Sequence, residues 1–367
     1  MTKNNIVRNI LFCMVLSLTL LTPYSCSMEE AQKSESKEKE EVLLSVPFTR
    51  SGSPTDENRV HSARLIVVRS AAASQTDGGK VLVNSNTPVA IDPINEAWQQ
   101  FKEFVQVGYI DMYIFVNELT SWNLASIAVG STFNFNDIKS KTLTFTDYPA
   151  VGPTDPIPAF TFEQQLHIDQ GGVVRKNGTP ISQFEADRLF AKVLIKINCD
   201  FTDLPANEPI RLDSIYIRSM PKTSWMVAAP YTLTSPSDYF DGTYYTPANA
   251  FGTPYDDSFG FYHEYVFYIP EYLIRDVTKR TYITIVAHKE VAPLQRFHYT
   301  LVVGDGIPTK TVADMKTTTN TADLTITRNV CYTFNIVKII GFGDLDDRTI
   351  HLEASVSNWQ WQVIPVN

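Results

Sequence analysis

Residues 189–201 read LFAKVLIKINCDF, in which Ala191, Val193, Ile195, Ile197 and Cys199 alternate with Lys192, Lys196 and Asn198. A period of two puts the first set on one face of an extended chain and the second on the other, the pattern of a half-buried strand. The same rhythm, less clean, recurs along most of the sequence. It predicts strands at 42–48 (VLLSVPF), 62–69 (SARLIVVR), 80–84 (KVLVN), 107–117 (VGYIDMYIFVN), 141–146 and 158–165 in the first half. In the second half it predicts strands at 211–218, 261–269 (FYHEYVFYI), 281–288 (TYITIVAH), 296–303, 332–340 and 350–357. Helical spacing is confined to 95–105, where Trp98, Phe101 and Val105 recur at three and four residues, and to the neighbourhood of 120–128.

Composition strengthens this picture. Seventeen Tyr and twenty-one Phe lie among many Thr, Val and Ile, while twenty-one Pro and sixteen Gly interrupt them, which favours short strands and turns over helices. A chain of 367 residues is too long for one ordinary core. The expected fold is all-β, two β-sandwich domains at 51–185 and 186–367 with a few short helices in the connections.

The first residues stand apart from this rhythm. Lys3 and Arg8 precede an apolar run at 10–21 (ILFCMVLSLTLL), which at twelve residues is shorter than a membrane span. It reads as a signal peptide covering residues 1–25. Small Ser25 before Cys26 is the arrangement that releases a cysteine carrying lipid, although Pro23 and Tyr24 make the motif irregular and simple cleavage near Ser25 or Ser27 is the alternative. Cys26 is thus the expected lipidation site, followed by a Glu, Lys and Ser stretch to Glu41 with almost no apolar residues, a solvated tether. The strand at 42–48 comes next, and then TRSGSPTDENR, a polar loop in which Arg50 is open to proteases.

Charge and motifs exclude several classes of function. Formal net charge is −9, and removing the leader with Lys3 and Arg8 takes it to −9 − 2 = −11, so no nucleic-acid partner is expected. The six histidines are scattered, with no His-Glu-x-x-His and no Cys/His cluster at zinc spacing. Neither a Gly-x-Ser-x-Gly elbow nor a phosphate-cradling glycine loop occurs, and GFGDLDDR at 341–348 lacks the ligand order of a calcium loop despite Asp344, Asp346 and Asp347. The chain reads as a non-enzyme with no cofactor and no metal site. Outside the leader region the cysteines are Cys199 and Cys331, either a disulfide or two separately buried thiols.

Taken in order, several segments resemble the fimbrillin family, the subunits and accessory proteins of type V pili. These are the lipoprotein leader, the first strand ending at Phe48-Thr49-Arg50, IDMYIFVNE at 110–118, AKVLIKI at 191–197 and FYIPEYL at 267–273. Arg328-Asn329 with Tyr332 following, and the closing VSNWQWQVIPVN, complete the series.

The resemblance implies transthyretin-like β-sandwiches and a particular maturation. A lipidated precursor reaches the outer membrane, a protease cuts after an arginine beyond the first strand, and loss of that strand opens a groove. Arg50 matches that position, making 26–50 the tether and propeptide strand, with Arg59, Arg64 and Arg69 as neighbouring alternatives. Strand 42–48 would cover the groove with Val42, Leu44, Val46 and Phe48. The donor to another subunit would be the last segment, 350–367, through Val356, Trp359, Trp361, Val363 and Val366. Its plainer reading is a last strand packed in its own domain. Implied partners are other pilus subunits, the outer membrane through the lipid on Cys26, and a host or bacterial surface receptor. The implied location is the surface of the outer membrane and the fimbrium. Two further readings stand beside a pilus subunit: a lipid-retaining anchor or assembly regulator, and a surface glycan-binding lipoprotein presenting Trp98, Trp122 or Trp225.

Overall fold

The computed structural model describes residues 41–49, 60, 62–71, 77–86, 89–90, 98–148, 157–181, 183–198, 210–227, 235–242, 244–245, 253–257, 260–274, 276–289, 296–307, 318–339, 350–358 and 362–365. Nearly all of the regular structure in them is β.

In the first half, β2 (Ala63–Arg69) is central, flanked antiparallel by β3 (Val81–Ser85) and β6 (Gly108–Val116). The sheet continues through β8 (Ala159–Ile168), β9 (Val174–Lys176) and β10 (Thr179–Pro180) in the order β10-β9-β8-β6-β2-β3. All seven residues of β2 are buried, so both faces of this sheet are covered. Its odd-numbered residues Ala63, Leu65 and Val67 join Ile110, Met112, Ile114, Leu166 and Ile168 in one core. The even-numbered Ile66 and Val68 join Tyr113, Phe115 and Phe160 in another, on the opposite face. A second layer is built from β1 (Glu41–Thr49), β5 (Trp98–Gln106) and β4 (Val89–Ala90), in the order β1-β5-β4.

β5 corrects the expected helix at 95–105. Phe101 and Val105 are four residues apart, a spacing close to one helical turn but also twice the period of a strand. Pairing along its whole length with β1 decides between them, and Phe101 and Val105 are buried from an extended chain, while Phe104 points out at 69% exposure. The second expected helical region holds two 3-10 turns, Thr120–Trp122 and Leu124–Ser126, and one short α-helix follows, α1 (Phe135–Lys139).

The second half places β12 (Phe190–Asn198), the strand with the clearest alternation, in the middle of a five-stranded sheet. The order is β18 (Thr253–Asp257), β19 (Gly260–Pro270), β12, β22 (Val330–Ile339) and β23 (Ile350–Asn358), with β12 and β22 parallel and the other pairs antiparallel. Against it stands β17 (Tyr244–Tyr245), β13 (Ile210–Arg218), β20 (Tyr282–Lys289) and β21 (Arg296–Val302), all antiparallel. Ala191, Val193, Ile195 and Ile197 meet Ile215, Ile217, Ile283 and Ile285 between the two sheets, the aligned packing of a sandwich. Two small ribbons complete the fold. They pair β14 (Met220–Pro221) with β16 (Tyr239–Phe240), and β15 (Thr223–Trp225) with β7 (Thr142–Thr144).

Leu189, Phe190, Met226, Val266 and Tyr268 from the second half pack into the same core as Ile66, Tyr113, Phe115 and Trp122 from the first. Residues 41–367 accordingly form one compact unit. The expected boundary at 185/186 falls inside β11 (Gln183–Arg188), a strand that pairs with β8 at Asp187 and Arg188.

Polar groups brace the same region. Arg328 Nε donates to Glu271 Oε2 at 2.7 Å, while its terminal nitrogens donate to the carbonyls of Met226 at 2.5 Å and Trp225 at 3.0 Å. Asn329 adopts a left-handed backbone (φ 57°), a conformation asparagine tolerates better than most residues, and its N–H donates to the Phe190 carbonyl at 2.9 Å. Arg188 is fully buried and donates to Asn329 Oδ1 at 3.5 Å. Burial pushes the Asp187 carboxyl above its usual range, with Arg328 pulling it down and Glu271 and Glu185 adding to the rise. Tyr332 in β22 donates to Asp305 and accepts from the Thr327 N–H at 3.0 Å, and Thr327 Oγ1 donates to Asp305 Oδ2 at 2.7 Å. The Arg-Asn and Tyr positions singled out in the sequence are thus structural: they fix the turn that feeds β22.

Candidate functional site

The feature that separates this chain from an ordinary pair of sandwiches is how β1 is held. All nine residues of β1 face partners in β5, from Glu41 opposite Gln106 to Thr49 opposite Trp98. Val42, Leu44 and Val46 alternate inward and are buried in the same core as Leu65, Ile114 and Leu166. Leu43, on the other face, is 47% exposed opposite the still more exposed Phe104. The strand expected at 42–48 is therefore present, and its inward set is Val42, Leu44 and Val46; the side chain of Phe48 lies outside the described residues.

Two other elements border β1. The turn joining β8 to β9 is drawn tight by Asp169, whose Oδ1 accepts from the N–H groups of Gly171 and Val173, both at 3.0 Å. Its Oδ2 accepts from Arg175 Nε at 2.9 Å, and these donors hold the Asp169 carboxyl below the usual carboxylate range. Gly172 in this turn has φ +78°, and a Cβ placed there would come within 2.8 Å of the Leu43 carbonyl oxygen. The turn thus closes against the backbone of β1, and only glycine suits both the conformation and the space. The other element is β24 (Gln362–Pro365), which pairs antiparallel with β11 from Gln183 opposite Pro365 to Ala186 opposite Gln362 and lies alongside β1.

The residues named from the sequence fall out as follows. Cys26, Arg50, Arg59, Trp359, Trp361, Val366 and Cys199 lie outside the described residues, as does the leader. Thr49, the last residue of β1, immediately precedes Arg50. Arg64 and Arg69 are both in β2, 4% and 0% exposed. Arg64 forms a two-pronged pair with Glu118, at 2.6 and 2.7 Å, and donates to Asn84 Oδ1 at 2.8 Å. Arg69 lies 3.4 Å from Asp77 and donates to the carbonyls of Gln106 and Val107 at 3.4 and 3.3 Å. Neither arginine is open to a protease in the folded chain. Val356 is in β23 opposite Tyr332, and Val363 is in β24 opposite Glu185, so the last segment is divided between two sheets.

Of the tryptophans weighed for a glycan platform, Trp122 is a core residue whose indole N–H donates to the Thr142 carbonyl at 3.0 Å. Trp225 is half-buried, and the side chain of Trp98 lies outside the described residues. Cys331 is half-buried in β22, its Sγ 3.7 Å from Thr333 Oγ1. Among the described residues no cluster of three or more His, Cys, Asp or Glu is placed to hold a metal ion, and no helix is long and apolar enough to cross a membrane.

The sequence resemblance did not single out Gly172 or β11. The Asp-Gln-Gly-Gly run at 169–172 signals a turn, but its contact with β1 arises only from tertiary structure.

No protein-family model matches the chain, and no curated protein sequence does. Solved structures do. One is the tip fimbrial protein Mfa3 from Porphyromonas gingivalis, in a form with a C-terminal truncation, at 14% identity and a TM-score of 0.55, covering 87% of this chain and 100% of that one. Another, described as a candidate cell adhesion protein from Bacteroides eggerthii, has 12% identity and a TM-score of 0.50 over 87% of this chain and 96% of that one. At such identities the likeness is one of fold. The strands of this chain are laid out in a fold similar to that of these two structures.

Proposed function

We propose that the chain is a structural subunit of a cell-surface pilus. In this reading it is exported as a lipoprotein through Cys26, cut after Arg50, and assembled when another subunit's strand takes the place of β1. The two sandwiches at 51–185 and 186–367 then serve as the domains of the subunit, with adhesion to a host or bacterial surface as a further role.

The observation that carries the reading is β1 itself. It forms the edge of its sheet, pairs with β5 through all nine of its residues, inserts Val42, Leu44 and Val46 into the core, and ends immediately before Arg50. Its loss uncovers one long strand edge and a row of apolar positions, a surface suited to accepting another strand. Burial of Arg64 and Arg69 supports this reading by making those two arginines poor cleavage positions.

The test is the amino-terminal residue and intact mass of the protein recovered from cell-surface polymers. A start at Ser51 without lipid is the expected result. A lipidated start at Cys26 in all surface material favours the anchor or assembly regulator. An unlipidated start upstream of β1 excludes both. Arg50→Ala removes the Ser51 start and, with it, entry into polymers. For the glycan-binding alternative, burial of Trp122 removes one of its three candidate platform residues.

A further inference from the structure

Two rings from different halves of the chain meet at the surface of their junction. Phe145 opens the 3-10 turn that follows β7 and is 49% exposed, and the half-buried Phe240 of β16 lies 5.3 Å away between ring centroids, at an interplanar angle of 50°. We propose that this cluster is a platform for a neutral sugar ring of a surface glycan, with Phe145 as the stacking residue. The proposal rests on the adhesion role put forward above and gives it a place and a ligand class. The place is distinct from the three tryptophans singled out in the sequence.

The segment from Met220 to Trp225 brings the two rings together. At one end Met220 and Pro221 pair with Phe240 and Tyr239, and at the other Thr223 pairs with Thr144. Between them the Phe145 N–H donates to the Lys222 carbonyl at 2.9 Å, and the Lys222 N–H donates to the Asp238 carbonyl at 2.7 Å. Behind the pair stands Tyr148, 5.9 Å from Phe240 and 5.4 Å from the fully buried Phe190, its hydroxyl donating to the Pro221 carbonyl at 2.7 Å. A chain of four rings thus leads from the core to the solvent. The exposed ring is held in place before any ligand arrives, so little freedom is lost on binding.

Size and chemistry select the occupant. A whole aromatic side chain buries about 150–250 Å², so the exposed half of Phe145 offers roughly 100 Å². A stable protein partner covers about 800 Å² on each side, far more than this ring supplies. The neighbours of Phe145 in sequence are Thr144 and Thr146, both exposed, with hydroxyl oxygens 2.8 Å apart, and neither carries charge. A pyranose has the matching surface: an apolar face of C–H groups to lie on a ring, and a rim of hydroxyls to meet neutral donors and acceptors. The junction between two packed sandwiches is also where small-ligand sites are most often found.

The test uses the isolated chain on an array of immobilised neutral oligosaccharides of glucose, galactose, mannose and N-acetylhexosamines, with sialylated and sulfated counterparts. Titration calorimetry then measures the strongest ligand. Saturable binding to a neutral glycan, with the same Kd at low and high salt, is expected. Phe145→Ala and Phe145→Leu should each weaken it by about tenfold or more, while Phe145→Tyr stays within about twofold because the flat face is kept. Val129→Ala, at another exposed apolar residue outside the cluster, should leave the affinity unchanged. Thermal midpoints of the Phe145 variants equal to that of the wild type separate loss of the platform from loss of the fold. The proposal is overturned if no neutral glycan is retained, if only charged glycans bind and salt releases them, or if Phe145→Leu binds as tightly as the wild type. Absence of the chain from every surface polymer would remove the assembly reading and leave this result standing, because the array needs no assembly.

Discussion

Leu44 in β1 lies directly opposite Glu103 in β5, and of this inward-facing pair it is the leucine that is completely sealed in the core while Glu103 stays half-buried. β1 thus supplies apolar filling that its partner strand does not provide at this level. Leu44→Ala opens a cavity and is expected to cost about 2–5 kcal/mol in the uncut chain. Leu43→Ala, one residue away and half exposed, should stay within about 0.5 kcal/mol. Urea denaturation of the two variants side by side measures the contrast, and equal midpoints would mean that β1 is not seated as described.

Gly172→Ala tests the turn that closes on β1. A left-handed backbone costs a residue with a Cβ about 1–2 kcal/mol by itself, and contact with the Leu43 carbonyl adds to that only while β1 is in place. The destabilisation should therefore shrink in a chain from which β1 has been removed. Denaturation midpoints of the wild type and the variant, each before and after cleavage, give the four values needed. A penalty that does not change on removal of β1 rules out the contact.

At the junction of the two halves, Arg328→Met removes the hydrogen bonds that Arg328 donates to Glu271 and to the carbonyls of Met226 and Trp225. Breaking one side of a largely buried pair costs about 3–5 kcal/mol. Glu271→Gln keeps a neutral acceptor facing Arg328 and should cost clearly less. Hydrogen exchange would place the loss, with protection falling first around Trp225 and Met226; uniform loss over the whole chain would show that the cluster does not act locally.

Alkaline pH should weaken the fold through its buried phenols. Burial, then the charge of Asp305 and the hydrogen bond to it, raises the Tyr332 phenol well above its usual value of 10.0, and burial pushes Tyr113 and Tyr239 up to about 12 each. Above about pH 10 the unfolded chain releases these protons while the folded chain keeps them. The folded state then binds more protons, so stability is fully present below that pH and falls as pH rises beyond it. Tyr332→Phe should flatten the fall, as read from denaturation midpoints across the alkaline range. An unchanged slope would show that Tyr332 ionises as freely in the folded chain as in the unfolded one.

What could be read from the sequence depended on how local the deciding contact was. β12 was legible because Ala191, Val193, Ile195 and Ile197 all face one core, so the pattern along the chain is the pattern in space. β1 was legible for the same reason through Val42, Leu44 and Val46. β5 was not, because Phe101 and Val105 satisfy two periods and the choice between them belongs to β1, far back in the sequence. β11 alternates Phe184 and Ala186 with Glu185 and Asp187 over only six residues, a signal too short and too polar to stand out, and its partner β24 lies at the far end of the chain. The setting of β1 was therefore half legible: the strand itself, but not the turn at Gly172 or the strand β24 that border it.

The pairing of Gln183 with Pro365 also sets an order of events. The border of the first sandwich along β11 stays open until residues 362–365 arrive, much later in the chain. Contacts this distant in sequence form slowly. A chain shortened by a few residues at its end should therefore show its damage in the opposite half: earlier proteolytic cutting near β11 and looser seating of β1, with the second sandwich left intact.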